Sequence, residues 1–421
     1  MHRLKRRKLS LMIHYGLYSL LGGEWHGQTV PWYAEWIRHT AKIPREAYRA
    51  LQKDFTASRF DAEGLVCRAK ALGFESICFT AKHHDGFCLF HSEASDFCSE
   101  HDLVGALAEA CRAHAMPLSL YYSQAQDWDD ERAYRAYDAS SGAAFSEYFH
   151  DKCLPQVEEL LTRYGPIEGL WFDTPDRMTR DQAVTLRRTV KTLQPDCLIN
   201  GRIGHGLGDY AVCQDNMLPS VPWDIPWEVP VSLYESWGFK RSRSGEKSPN
   251  DLLRIFLKTL SRGGHCLLNV GPEGDGSISD EDMDLLSCVC EYALDKAPAV
   301  YGTVPAPLPL FECEGMVMTW KPEERRLFLH IFDQDPNHPM GRHDLIGFDA
   351  DFTGMNRVLD GKIGDPVPAF GRRTLEGDPC WTFDVPVEPR VCLALTYAGP
   401  APRVAMPKIC DSDTMGMERM K

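Results

Sequence analysis

Eight short apolar runs, most of them followed by a stretch of helical periodicity, constrain this chain more than any other feature. They are LMI at 11–13, ESICFT at 75–80, PLSLYY at 117–122, GLWF at 169–172, CLIN at 197–200, YAVC at 210–213, VSLY at 231–234 and HCLLNV at 265–270. Apolar residues fall at helical spacing in 61–72, 103–115, 145–164, 179–193 and 249–262. Strands that alternate with helices belong to a parallel sheet, and such strands read as nearly continuous apolar runs because both of their faces are buried. Eight of them predict an α/β fold, a (β/α)8-type, TIM-like barrel that is partly irregular. The irregularity falls between the fifth and sixth runs. Only residues 201–209 separate them, too few for a crossover helix. The sixth and seventh units are therefore degenerate, or the barrel is partly open on that side.

From about residue 300 the pattern changes. Alternating stretches such as RRLFLHIF (325–332), WTFDV (381–385) and VCLALTY (391–397) are joined by Pro- and Gly-rich turns. They read as a small antiparallel β-sandwich. The expected division is a catalytic barrel over 1–299, a sandwich over 300–400 and a polar tail over 401–421.

Composition removes several function classes. A net charge of -14 leaves no basic face for a polyanion, so nucleic acid is not an expected partner. No run of about 18 apolar residues occurs, so no membrane span is expected. The 15 cysteines include no CxxC pair and read as reduced, mostly buried small hydrophobes in a cytoplasmic protein. The basic HRLKRRK followed by LSLMIHYGLYSLLGG imitates a signal peptide. His14 and Tyr15 interrupt its apolar part, and the segment is needed as the first strand.

In such a barrel the reactive groups gather at the C-terminal ends of the strands. Those ends carry His14, the run Lys82-His83-His84-Asp85, Tyr122, Trp171-Phe172-Asp173, Asn200-Gly201-Arg202, Asp215 and Glu235-Ser236-Trp237. Aromatic faces, imidazoles, an arginine and paired carboxylates are the groups that hold and cleave a neutral sugar. Singly, each has a plainer reading. Asp173 could be a helix N-cap, and Trp171 and Trp237 could be core. His83-His84 could be half of a metal site, but it lacks the alternating His-x-His and later ligands. No metal and no cofactor is expected.

The motifs IHYGLYS (13–19), AEWI with IPREAY (34–37 and 43–48), FTAKHHDGFCLF (79–90), YYSQAQDW (121–128), LWFDT (170–174), NGR (200–202), ESWGF (235–239) and LLNVGPEGDGSI (267–278) occur in this order. Together they resemble glycoside hydrolase family 29, the α-L-fucosidases. The resemblance implies a retaining, exo-acting enzyme that removes terminal α-L-fucose from oligosaccharides or glycoconjugates through a covalent fucosyl-Asp intermediate. It makes Asp173 the nucleophile. It offers Asp215, in CQDN, as first choice for the acid/base and Glu228, in PWEVP, as second. It assigns His14, Glu35, Trp36, His83, His84, Tyr122, Trp171, Arg202 and Trp237 to the sugar, with Glu24-Trp25 as a rival for the Glu35-Trp36 pair. Two other classes stay open: a catalytically silent fucose-binding protein and a metal-dependent barrel hydrolase. Oligomeric state is not legible.

Overall fold

Leu9–Ile13 (β1) is buried at all five positions and lies between two parallel neighbours. A strand with no polar alternation requires such a setting. The computed structural model describes residues 3–134, 142–307, 315–332, 340–346, 348–374, 377–386, 388 and 390–404. Seven further strands join β1 in one parallel sheet: Ile77–Lys82 (β2), Leu118–Tyr122 (β3), Gly169–Phe172 (β4), Leu198–Ile199 (β5), Ala211–Val212 (β6), Trp227–Ser232 (β7) and His265–Val270 (β8). Their order is β5-β4-β3-β2-β1-β8-β7-β6. One parallel bridge between Asn200 and Tyr210 joins the two ends of the sheet and completes the ring. The expected irregular barrel is present.

The weak seam lies where the short connection placed it. β5 and β6 have two residues each, and a 3-10 turn at Gly201–Ile203 stands in for a helix. The chain reverses through left-handed Gly204 and Gly206. Gly208 then passes so close that a Cβ on it would lie 2.6 Å from the Gly201 Cα. Only glycine permits that approach.

β7 begins at Trp227, four residues before the expected 231, so Glu228 sits inside a strand and not in a loop. Pro226 and Pro230 suggest a break, since proline cannot donate to a ladder. The donor is not missed at Pro230, because the neighbouring β6 pairs only as far as Glu228. The long helix Asp280–Asp295 is absent from the expected set. Ser279 starts it by accepting from the Asp282 N–H at 3.2 Å, and three acidic residues in its first turn suit the helix dipole.

The barrel interior holds Met12, Cys78, Tyr121, Trp171 and Leu267, which pack together from β1, β2, β3, β4 and β8. Residues on either side of these point outward, under the helices. The second compact unit comprises Ser220–Pro222, Leu253–Gly263 and the chain from Tyr292. Its six-stranded antiparallel sheet has Val391–Val404 between Arg326–Ile331 and Phe348–Leu359, and a three-stranded sheet is centred on Pro379–Pro386. Leu327, Leu329, Leu393 and Leu395 of the first sheet share a core with Phe383 and Val385 of the second, as in a sandwich. Strand structure continues to Val404, and the rest of the expected polar tail lies outside the described residues. The 13 described cysteines are all free thiols. No helix among the described residues is long and apolar enough to cross a membrane.

Candidate active site

Asp173 follows the last residue of β4 and is 8% exposed at the C-terminal mouth of the barrel. Four groups face its carboxylate. Oδ1 accepts from Arg202 Nη1 at 2.8 Å and from the Thr174 N–H at 3.0 Å. Oδ2 accepts from the Tyr121 hydroxyl at 2.8 Å and lies 3.5 Å from His84 Nε2. Thr174 has a φ of 45°, an uncommon value for a β-branched residue, which turns its N–H back onto the preceding side chain. Gln124 ties the surroundings together, accepting from the Asp173 N–H at 2.8 Å and donating to the Arg202 carbonyl at 2.9 Å.

Burial alone would raise the pKa of Asp173. Arg202, His84 and the Tyr121 hydroxyl outweigh it and hold the carboxyl below its ordinary range. Burial also brings His84 down to about 4, so near neutrality the cation that keeps Asp173 ionised is Arg202. The same guanidinium reaches Asp215, which pairs through Oδ1 with Nη2. One planar fork therefore holds two carboxylates on the rim of the pocket.

The pocket beside them has a cavity volume of about 110 Å³ and is lined by His14, Glu35, Trp36, His83, His84, Trp171, Asp173, Arg202, Asp215 and Trp237, all expected from the sequence. Met12, Tyr33, Tyr121 and Thr174 join them. A stack runs down one wall. His83 lies 5.2 Å from Tyr121 at an interplanar angle of 11°, and Tyr121 lies 5.4 Å from Trp171 at 19°. Arg202 lies over the Trp171 ring at 4.8 Å.

The ring nitrogens have definite roles. Ser123 Oγ donates to the Gln126 carbonyl at 2.8 Å, so His84 Nδ1, 2.7 Å from Ser123 Oγ, must carry the proton. That leaves Nε2 as an acceptor towards the cavity. Asn269 acts in the same way on His14: its Nδ2 donates to the Trp237 carbonyl at 2.7 Å and its Oδ1 faces His14 Nδ1 at 2.5 Å. Glu35 Oε2 accepts from the Gly238 N–H and the Ser236 hydroxyl. Its Oε1 and His83 Nδ1 are buried without a protein partner. Orphaned buried polar atoms are costly, and a polyhydroxylated ligand would satisfy them.

Two expected site residues lie elsewhere. Tyr122 points out of the barrel, where its hydroxyl donates to Gln156 Oε1 at 2.7 Å. Its neighbour Tyr121 takes the inward position because successive side chains of a strand alternate in direction. Glu228 is 3% exposed inside the barrel, bonded to Trp171 and His265, and does not line the pocket. Glu24-Trp25 forms a small hairpin with Gln28–Thr29 and does not line it either. Beyond the expected set the site uses Tyr121, Ser123, Gln124 and Asn269. Tyr121, Ser123 and Gln124 fall in the motif YYSQAQDW, and Asn269 is a polar residue inside the apolar run HCLLNV.

Burial sets a pH window for stability. It lowers His14 and His84 from 6.5 to about 4. Below pH 6.5 the unfolded chain takes up these protons first, so the stability linked to both groups is intact above that pH and drains away as pH falls towards 4. Each accounts for on the order of 3 kcal/mol. Glu35, raised by burial from 4.5 to about 7, has the opposite sign. Its contribution is present below pH 4.5 and is lost as pH rises through 7. Thermal melts followed by circular dichroism should peak at about pH 6–7 and fall steeply on the acid side. A melting temperature unchanged between pH 6.5 and 4.5 would contradict this accounting.

Comparison with known proteins agrees with the geometry. Residues 2–296 match the family model described as Alpha-L-fucosidase. Tissue alpha-L-fucosidase of Rattus norvegicus is 27% identical over 322 residues, covering 71% of this chain and 69% of that protein. The crystal structure of alpha-L-fucosidase from Vibrio sp. strain EJY3 superposes with a TM-score of 0.85 at 28% identity, covering 95% of this chain and 73% of that one. An alpha-L-fucosidase from Lactobacillus casei in complex with alpha-L-fucose product is 34% identical with a TM-score of 0.63, covering 69% of this chain and 96% of that one. This chain belongs to the α-L-fucosidase family of glycoside hydrolases.

Proposed function

We propose that the pocket takes a terminal α-L-fucose unit and that the enzyme hydrolyses its glycosidic bond with retention of configuration. The observation that carries this reading is the pair of carboxylates, Asp173 and Asp215, held on one Arg202 guanidinium beside a cavity lined with unsatisfied polar atoms. Sharing a fork favours the short separation of about 5–5.5 Å used by retaining glycosidases over the roughly 6.5–9.5 Å of inverting ones.

In the first step Asp173 attacks the anomeric carbon, the bond to the departing oxygen breaks, and Asp215 gives that oxygen a proton. Water then attacks the same carbon, Asp215 takes its proton, and the Asp173 ester bond breaks to release fucose. The transition state carries positive charge at the ring, and the ionised Asp173 faces it. Trp171 and Trp237 supply apolar wall for the C–H face and C5 methyl of the sugar. His14, His83, His84 and Glu35 supply hydrogen bonds to the hydroxyls. Tyr121 replaces Tyr122 in this set.

No metal is assigned a role. Two pocket histidines already commit Nδ1 to Asn269 and Ser123. Among the described residues the only cluster of three metal-type ligands is Glu63, Cys67 and His114, on the outer helices. The free thiols support a reducing, cytoplasmic setting. Proton NMR of 4-nitrophenyl α-L-fucoside turnover tests the stereochemistry. α-L-fucose should be the first sugar seen, before mutarotation, and the rate should not respond to a chelator. β-L-fucose appearing first would reject retention.

A further inference from the structure

A carboxylate sealed inside a barrel is expensive to desolvate and is kept only where its partners are good. Glu228 is such a group, and both of its oxygens are engaged. Oε1 accepts from the Trp171 indole N–H at 2.8 Å, and Oε2 faces His265 Nδ1 at 2.7 Å. Glu228 and His265 are register partners on β7 and β8. The chain of contacts continues from His265 Nε2 to Ser10 Oγ at 2.8 Å, and from there to Ser76 Oγ at 2.6 Å. This polar line crosses the barrel from the start of β2 through β1, β8 and β7 to β4. It ends on Trp171.

The other end of Trp171 explains why that matters. Arg202 rests over its ring, and Tyr121 is stacked against it. These two residues are also the hydrogen-bond donors that flank the Asp173 carboxylate from either side. Packing holds the plane of the indole, and a partner for its N–H fixes the orientation of the ring within that plane. Freed from Glu228, the ring could turn, and the supports of both donors would move with it. We propose that Glu228, backed by His265, is a positioning residue for the reaction: it fixes the Trp171 indole, which carries the Arg202 and Tyr121 contacts to Asp173. The proposal rests on the reading of Asp173 as nucleophile.

The test uses Glu228→Gln, Glu228→Leu and Trp171→Phe, singly, with the double variant Trp171→Phe/Glu228→Leu. Trp171→Phe keeps a ring and deletes the N–H, so it stands in for Glu228→Leu should that variant fail to fold. Glu228→Leu and Trp171→Phe should each lower kcat about 10–100-fold, as for other groups that orient a reacting residue. The acid limb of kcat/KM should move up by about one pH unit, because the donors that hold Asp173 low are loosened. Glu228→Gln keeps an oxygen for the indole and should recover most of the loss. The double variant should be no worse than the poorer single one, because both break the same link.

Three results would overturn the proposal. One is an acid limb that stays put while only the melting temperature falls, which marks a structural residue. Another is additive losses in the double variant. The third is azide rescue of a Glu228 variant, which marks a group in direct contact with substrate. A wild-type enzyme with no activity on aryl α-L-fucosides would instead defeat the underlying reading. Wild-type activity with unmoved Glu228 and Trp171 profiles would defeat this one alone.

Discussion

Asp173→Gly should lower turnover of an aryl α-L-fucoside by roughly 10³–10⁵-fold while the chain stays folded, the scale expected when a covalent nucleophile is removed. The fold should survive because Arg202, which loses one partner, keeps Asp215, and Gln124 still holds the backbone at position 173. Azide should fill the space left by the carboxylate and attack the anomeric carbon from the same side. With no enzyme ester formed there is a single displacement, so the product should be β-fucosyl azide. The readouts are initial rates, a circular dichroism melt and NMR of the azide adduct. Near-normal hydrolysis by a folded Asp173→Gly enzyme would remove Asp173 from the mechanism.

Asp215→Ala is expected to behave differently in each respect. Loss of a general acid costs about 10²–10⁴-fold on a natural oligosaccharide and much less on a dinitrophenyl fucoside, whose leaving group needs no proton. The covalent intermediate still forms on Asp173, and without a base to activate water it should accumulate and give a burst of phenol. Azide needs no deprotonation and should discharge that intermediate from the opposite face, giving α-fucosyl azide with net retention. The anomer of the azide adduct therefore tells the two carboxylates apart. Glu228→Ala should give neither adduct, since its side chain lies inside the barrel, bonded to Trp171 and His265. If Asp215→Ala shows no burst and no rescue, the proton comes from another group.

Much of this was legible in the residues. The runs at 169–172 and 265–270 are strands with the bounds read from sequence, because a short apolar run between helices has few alternatives to a buried parallel strand. The short span 201–209 located the weak seam of the barrel through chain length alone. The pocket gathers all but Tyr122 among the residues expected to touch the sugar, together with Asp173 and Asp215. They sit at strand ends or in the loops that follow, where the architecture puts function.

What sequence could not supply was direction and depth. In a strand buried on both faces the apolar pattern has no phase, so nothing in LSLYY says whether Tyr121 or Tyr122 looks into the barrel. Closure of the ring decides it, and Tyr121 faces Asp173. The start of β7 turned on whether Pro230 misses a ladder partner, which depends on where its neighbour β6 ends. That boundary moved Glu228 from an expected loop acid to the interior. Side-chain chemistry and spacing along the chain determined what the site contains. Only the tertiary packing decided which of two adjacent residues enters it, because inward and outward are properties of the closed barrel and not of any single strand.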